Sequence, residues 1–302
     1  VLSRNWTLVI AAVHLATCLA ITPSLATAGP PARLTNVINA YPNPDPDGHR
    51  VVFQSNRTGT TQLYIMNGDG TNLIQLTDEV LGAETPKWSP DGRNKRQLTD
   101  SPGYDGHASW SLDGTRIIFN SDRTTPDPGV EWNQRWHEIF SMDATGGDVR
   151  QHTRQKTICT YPSFSPDQSR IVYRKVTSTP AMSWDLTPGE RNSEVFVALA
   201  DGSEEHNLSN KAAFDGWPEW SPTGEWIVFA SNRTGPANTG QLYLIRPDGS
   251  DLRRITSGPW SYAQPAWSTD GSALFAYQHQ ETVEYEFGDV VRIDLGDRGL
   301  AP

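Results

Sequence analysis

The sequence predicts an all-β fold: a β-propeller of six repeats, each written as a four-stranded antiparallel blade, with the second repeat truncated. Three observations carry that reading. An aromatic–Ser–Pro–Asp–Gly phrase followed by a β-branched run recurs along the chain. A second phrase, an aliphatic–aromatic run closed by Asp-Gly and a short polar run, follows it in most copies. Gly 25 and Pro 22 in 302 residues fall at regular intervals, as many short strands joined by turns require.

A leader comes first. Arg4 supplies a positive charge, Leu8 to Ile21 is mostly apolar, and Ala26-Thr27-Ala28 has the small-x-small form that signal peptidase accepts. Residues 1–28 are expected to be a removed signal peptide and 29–302 a single propeller domain. The apolar run is short for a membrane span, so no span is expected after cleavage. Val1 reads as a non-standard bacterial start, which places the mature chain in the periplasm or outside the cell. Lipidation at Cys18 is the weaker reading of the same segment. Cys159 then stands alone as a buried structural thiol without a disulfide partner.

The repeats run approximately 37–78, 79–100 (truncated), 101–154, 155–210, 211–258 and 259–296. The first phrase reads "TPKWSPDG" at 85–92, "HASWSLDGTRIIF" at 107–119, "YPSFSPDQSRIVY" at 161–173, "WPEWSPTGEWIVF" at 217–229 and "QPAWSTDGSALFAY" at 264–277, with a weaker copy from Tyr41. A first strand ends at the aromatic residue. Pro presets φ and Gly accepts the left-handed region, so the chain turns back into a second strand. The second phrase, as in "QLYLIRPDGSDLRRITS" at 241–257, supplies the third and fourth strands. One such sheet cannot bury both faces, so copies must pack radially. Trp88, Trp110, Trp220 and Trp267 are read as core between blades. In 88–100 one Asp-Gly does the work of two. Two strands are missing there, which leaves a thin two-stranded blade or a five-blade ring carrying 79–100 as an insertion. The last repeat stops after its third strand, and residues 32–36 match the missing fourth, so an N-terminal strand is expected to close the ring.

The Trp-Ser-Pro-Asp-Gly phrases, with Ser-Asn-Arg-Thr-Gly at 55–59 and 231–235, resemble the TolB-type propeller repeat over nearly all of 33–296. The resemblance implies a six-bladed propeller with an exported, interaction-related role. TolB carries an α/β domain ahead of its propeller, and no space for one is seen between the leader and the first repeat. The repeat is also similar to the propellers of some polysaccharide lyases and of peptidases that carry a separate hydrolase domain. The Ser-Asn/Asp-Arg-Thr motif recurs in separate blades, which points to a structural role for its Arg.

For function, the net charge of −10 argues against nucleic acid, whose phosphates need a basic face. The residues just before the first strand's Pro, namely Tyr41, Thr85, His107, Tyr161, Trp217 and Gln264, should ring one mouth of the channel. Long loops carry Trp132, Trp136 and Trp184 with Glu131, Asp185, Glu281 and Glu284 above them. Such an aromatic, acidic bowl suits a sugar ring or an extended peptide, or else the loop aromatics merely pack their own loops. The expectation is a monomeric, non-catalytic module for an envelope protein or glycan, without a cofactor. The alternative is a carbohydrate-active enzyme, a polysaccharide lyase or glycoside hydrolase, with His107 and Tyr161 as an acid–base pair. Within that alternative, a divalent metal held by His107, His137 and His279, as the lyase resemblance implies, is the other way to the chemistry.

Overall fold

The computed structural model describes residues 37–45, 48–80, 83–88, 97–101, 103–127, 129–130, 135–176, 193–234, 239–280 and 288–296. Among them are nineteen strands in five antiparallel sheets, and no helix. Blades are numbered by the repeat that forms them. Blade 1 holds β1 (Asn39–Pro44), β2 (Arg50–Thr58), β3 (Thr60–Asn67) and β4 (Ile74–Gln75). Blade 3 holds β5 (Asp105–Trp110), β6 (Arg116–Ser121), β7 (Glu138–Asp143) and β8 (Arg150–Gln151). Blade 4 holds β9 (Cys159–Phe164), β10 (Arg170–Val176), β11 (Ser193–Leu199) and β12 (His206–Asn207). Blade 5 holds β13 (Asp215–Trp220), β14 (Ile227–Ser231), β15 (Gln241–Ile245) and β16 (Arg253–Arg254). Blade 6 has three strands, β17 (Trp260–Trp267), β18 (Ala273–Gln280) and β19 (Asp289–Asp294). Strand order within every sheet follows the chain, the meander that the repeated turns dictate.

The first turn is built by side chains. In blade 3, Ser111 Oγ donates to Asp113 Oδ1 at 2.7 Å and accepts from the Arg116 amide at 2.9 Å, while Gly114 takes φ 69. Ser165–Asp167 and Ser268–Asp270 repeat the arrangement. The second phrase is fixed by a clamp. Thr77, Thr153, Ser209 and Thr256 donate to the side chains of Gln62, Glu138, Glu194 and Gln241, and each also accepts a third-strand amide. A two-residue fourth strand is thereby held by more than its ladder.

The core lies between blades, because each sheet is apolar on both faces. Trp220 of blade 5 packs in one cluster with Val172, Val195 and Leu208 of blade 4, and Trp267 of blade 6 with Trp226 and Leu242 of blade 5. Trp88 Nε1 donates to the Asn43 carbonyl at 3.0 Å, so this Trp also ties neighbouring repeats. Cys159 is buried in the cluster between blades 3 and 4, and burial pushes its thiol up. The Ser-Asn/Asp-Arg motif is a strut. Arg57, Arg123 and Arg233 each donate to the Ser two residues before and to Asn39, Asp105 or Asp215 of the first strand.

Blades meet through one recurring contact, in which the start of a third strand bonds to the residues leading into the next first strand. The Ala83 amide donates to Thr61 O at 2.8 Å, that of Cys159 to His137 O at 2.8 Å, and that of Tyr262 to Gly240 O at 2.8 Å. Ser193 and Phe214 form the equivalent bridge. The ring closes the same way, with the Asn39 amide donating to Gly288 O at 3.0 Å. The strand expected at 32–36 lies outside the described residues, as do the leader and Cys18.

The second repeat departs from expectation. Its described residues, 79–80, 83–88 and 97–100, contain no strand of the thin two-stranded blade, and the five sheets are those of the five-blade alternative. A first strand needs a second to bond with, and the deletion removed the inner pair. No blade-to-blade bridge joins it to blade 3 among the described residues.

Candidate binding site in the channel

Each first strand carries a β-bulge. Register slips between Ala40 and Asn43, Gly106 and Ser109, Thr160 and Ser163, Gly216 and Glu219, and Ala263 and Ala266. The bulge puts Tyr41, His107, Tyr161, Trp217 and Gln264 in left-handed backbone, φ 49 to 53, and the strandless Thr85 joins them at φ 48. Non-glycine residues there cost about 1–2 kcal/mol each, and such strain recurs at functional sites. All six line one cavity of about 70 Å³, room for about five waters. The second repeat thus keeps its place on the channel although its described residues form no sheet.

The walls are aromatic and mutually locked. The Tyr41 and Tyr161 hydroxyls share a hydrogen bond at 3.3 Å, and the His107 and Tyr161 rings lie 3.9 Å apart. Tyr161 meets Trp217 edge-on at 5.8 Å, and Trp217 packs on Phe214 at 5.0 Å. The Tyr41 amide donates to Gln264 Oε1 and the Thr85 amide to Gln54 Oε1, both at 2.8 Å. Behind His107, its Nδ1–H donates to Asn120 Oδ1 at 2.7 Å, and Asn120 Nδ2 donates to His137 Nδ1 at 3.1 Å. One amide therefore fixes two tautomers, leaving the His107 lone pair on Nε2 and the His137 proton on Nε2. Burial pulls His107 down to about 3 and His137 to about 4, so both rings are neutral at pH 7.

A second tier lies two residues further along each first strand and was missed in the sequence. Lys87, Ser109, Ser163 and Glu219 line the same cavity, and Lys87 Nζ stands 3.8 Å from the Glu219 carboxylate. Burial raises the Glu219 carboxyl above its ordinary range, while Lys87 and the Trp267 amide pull it down. The period-two alternation of a strand was the available signal. Tyr104 was also missed. Its ring lies over Gly106, where a Cβ would overlap it, and 5.6 Å from His137.

Two further expected residues, Trp136 and His279, are not among the residues lining this cavity. Trp136 stays with its own loop, its Nε1 donating to Thr124 Oγ1 at 3.3 Å. His279 stacks on Tyr277 in blade 6 at 5.1 Å. Among the described residues no three His, Cys, Asp or Glu side chains could hold a metal ion, and Asn120 already engages one nitrogen of both His107 and His137. Trp132, Trp184 and Glu281, like Glu131, Asp185 and Glu284, lie outside the described residues.

The profile of the TolB beta propeller domain family matches residues 180–297. A protein TolB homolog of Chlorobium luteolum is 29% identical over 188 residues, covering 62% of this chain and 36% of that protein. The crystal structure of TolB from Acinetobacter baumannii superposes with a TM-score of 0.52 at 17% identity, covering 87% of this chain and 51% of that one. The ring is a TolB-type β-propeller. Other proteins share parts of this TolB-type propeller. An uncharacterized peptidase, YuxL of Bacillus subtilis, is 30% identical over 115 residues, 38% of this chain and 16% of the peptidase. An oligogalacturonate lyase in complex with manganese has a TM-score of 0.52 at 15% identity, covering 87% of this chain and 79% of the lyase. At such identities the likeness to solved structures is one of fold.

Proposed function

We propose that this TolB-type propeller is an exported binding module, periplasmic or secreted, that holds an envelope protein or glycan at its channel mouth without chemistry. The observation that carries the reading is the set of six strained residues, Tyr41, Thr85, His107, Tyr161, Trp217 and Gln264, converging on one cavity. Six equivalent positions also support a six-fold ring in which the second repeat is a reduced sector, closed by residues 32–36. No helix among the described residues is long and apolar enough to cross a membrane. The module is expected to act as a monomer without a cofactor. Immobilised protein and its Trp217→Ala variant, challenged with solubilised envelope proteins and with released envelope glycans, test the reading. Retention of a component by the first and not the second supports it; equal retention of every component refutes it.

A second reading has its own observation. His107 is neutral, has its tautomer set by Asn120 and touches Tyr161, the contact that an acid–base pair uses. Under it the chain is a carbohydrate-active enzyme, lyase or hydrolase. Depolymerisation of uronic-acid or neutral glycans, abolished in His107→Gln and Tyr161→Phe, would establish it.

A further inference from the structure

The second tier of the channel narrows the ligand class, on the premise that the channel is a binding site. Lys87 and Glu219 face one another at 3.8 Å, wider than the about 2.7–2.9 Å of a closed charge-assisted hydrogen bond. Among the described residues the Lys87 ammonium has no partner except Glu219. The pair is partly buried, with side chains 27% and 23% exposed, and it borders the same cavity as the aromatic tier above it. An ion pair left ajar at the base of a cavity has unused capacity, three donors on one side and, beside the Trp267 amide, spare carboxylate lone pairs on the other.

The two charges cancel, which decides what fits. A ligand carboxylate that took Lys87 would leave Glu219 as a buried, repelled anion. A ligand ammonium that took Glu219 would do the same to Lys87. A hydroxyl is donor and acceptor at once. It can accept from Lys87 and donate to Glu219 across the gap without changing the local charge. Two hydroxyls on adjacent carbons do this with less strain than one. Above them, the edge-on rings of Tyr161 and Trp217 line the same cavity and give an apolar C–H surface a wall to lie against. We infer that the channel is a subsite for one neutral pyranose ring of an envelope glycan. Vicinal hydroxyls bridge Lys87 and Glu219, and the C–H face lies against Tyr161 and Trp217.

The test uses the purified chain with maltotetraose, cellotetraose and chitotetraose as neutral probes, trigalacturonate as the acidic control, and a pooled octapeptide library. Binding is followed by saturation-transfer NMR and by tryptophan fluorescence. At least one neutral tetrasaccharide should bind. Its affinity should fall at least tenfold in the Lys87→Met, Glu219→Met double variant, whose thermal midpoint should stay at or above that of the parent. If the double variant fails to fold, Lys87→Gln alone should weaken binding severalfold. Absence of binding by every neutral probe, or unchanged affinity in the variant, overturns the inference. Binding of trigalacturonate or peptides alone also overturns it, yet leaves the channel as a binding site. Silence from every probe counts against both.

Discussion

The hydroxyls of Tyr41 and Tyr161 meet at 3.3 Å across the channel, although 120 residues separate them in the chain. Blades 1 and 4 are thereby joined through the channel itself as well as around the ring. We expect Tyr41→Phe and Tyr161→Phe each to cost about 0.5–1.5 kcal/mol, with the double variant costing less than their sum. Urea unfolding of all four proteins checks this. Strict additivity would show that the two hydroxyls act separately.

Two glycines make space for aromatic rings behind the channel. A Cβ on Gly216 would come within 2.8 Å of Phe214 Cζ, and one on Gly106 would overlap Tyr104. Gly106→Ala and Gly216→Ala should each destabilise by about 1–3 kcal/mol through overpacking. Near-ultraviolet circular dichroism should change with them, because Tyr104 must move in the first and Phe214, on which Trp217 packs, in the second.

The buried histidines set a pH dependence. Both are depressed in the folded state, to about 3 and about 4, from an ordinary value of 6.5. Below that ordinary value the unfolded chain binds protons that the folded chain refuses, so stability is lost as pH falls from about 6.5 towards 4. The slope over that range should be smaller by about one proton in His107→Gln than in the parent, measured by denaturant unfolding. Equal slopes would contradict the assignment.

The Thr clamp distinguishes whole blades from the reduced one. Thr256 Oγ1 donates to Gln241 Oε1 at 2.8 Å and accepts from the Leu242 amide at 2.9 Å, so Thr256→Val strands a buried amide and should cost about 1–3 kcal/mol. Thr99 holds the same place in the second repeat, where the described residues contain no third strand for it to clamp, and Thr99→Val should fall within about 0.5 kcal/mol of neutral. A large effect at Thr99 would mean that a partner strand exists.

The blades were legible in the sequence because each phrase encodes its own turn: Ser111, Asp113 and Gly114 complete their hydrogen bonds within five residues. The first tier was legible for the same local reason, one residue before a Pro in five copies and before Ala108 in the sixth. Asn120 was not, since it reaches His107 through the register of β5 against β6 and His137 through a neighbouring strand. Lys87 and Glu219 come from repeats far apart in the chain, and only ring closure brings them together. The truncated repeat misled for a related reason. Its phrase preserves the residues that face the channel, whereas a strand also depends on a partner elsewhere.

That truncation has a mechanical consequence. A torus of equal sectors resists any change of bore, because widening it strains every sector. A torus in which the described residues of one sector hold no sheet has one place where the hoop of sheets is interrupted. Thr85 and Lys87 stand on that sector. Whatever enters the channel therefore meets, on one side, a wall that no hydrogen-bonded ladder among the described residues backs, and on the others five sheets.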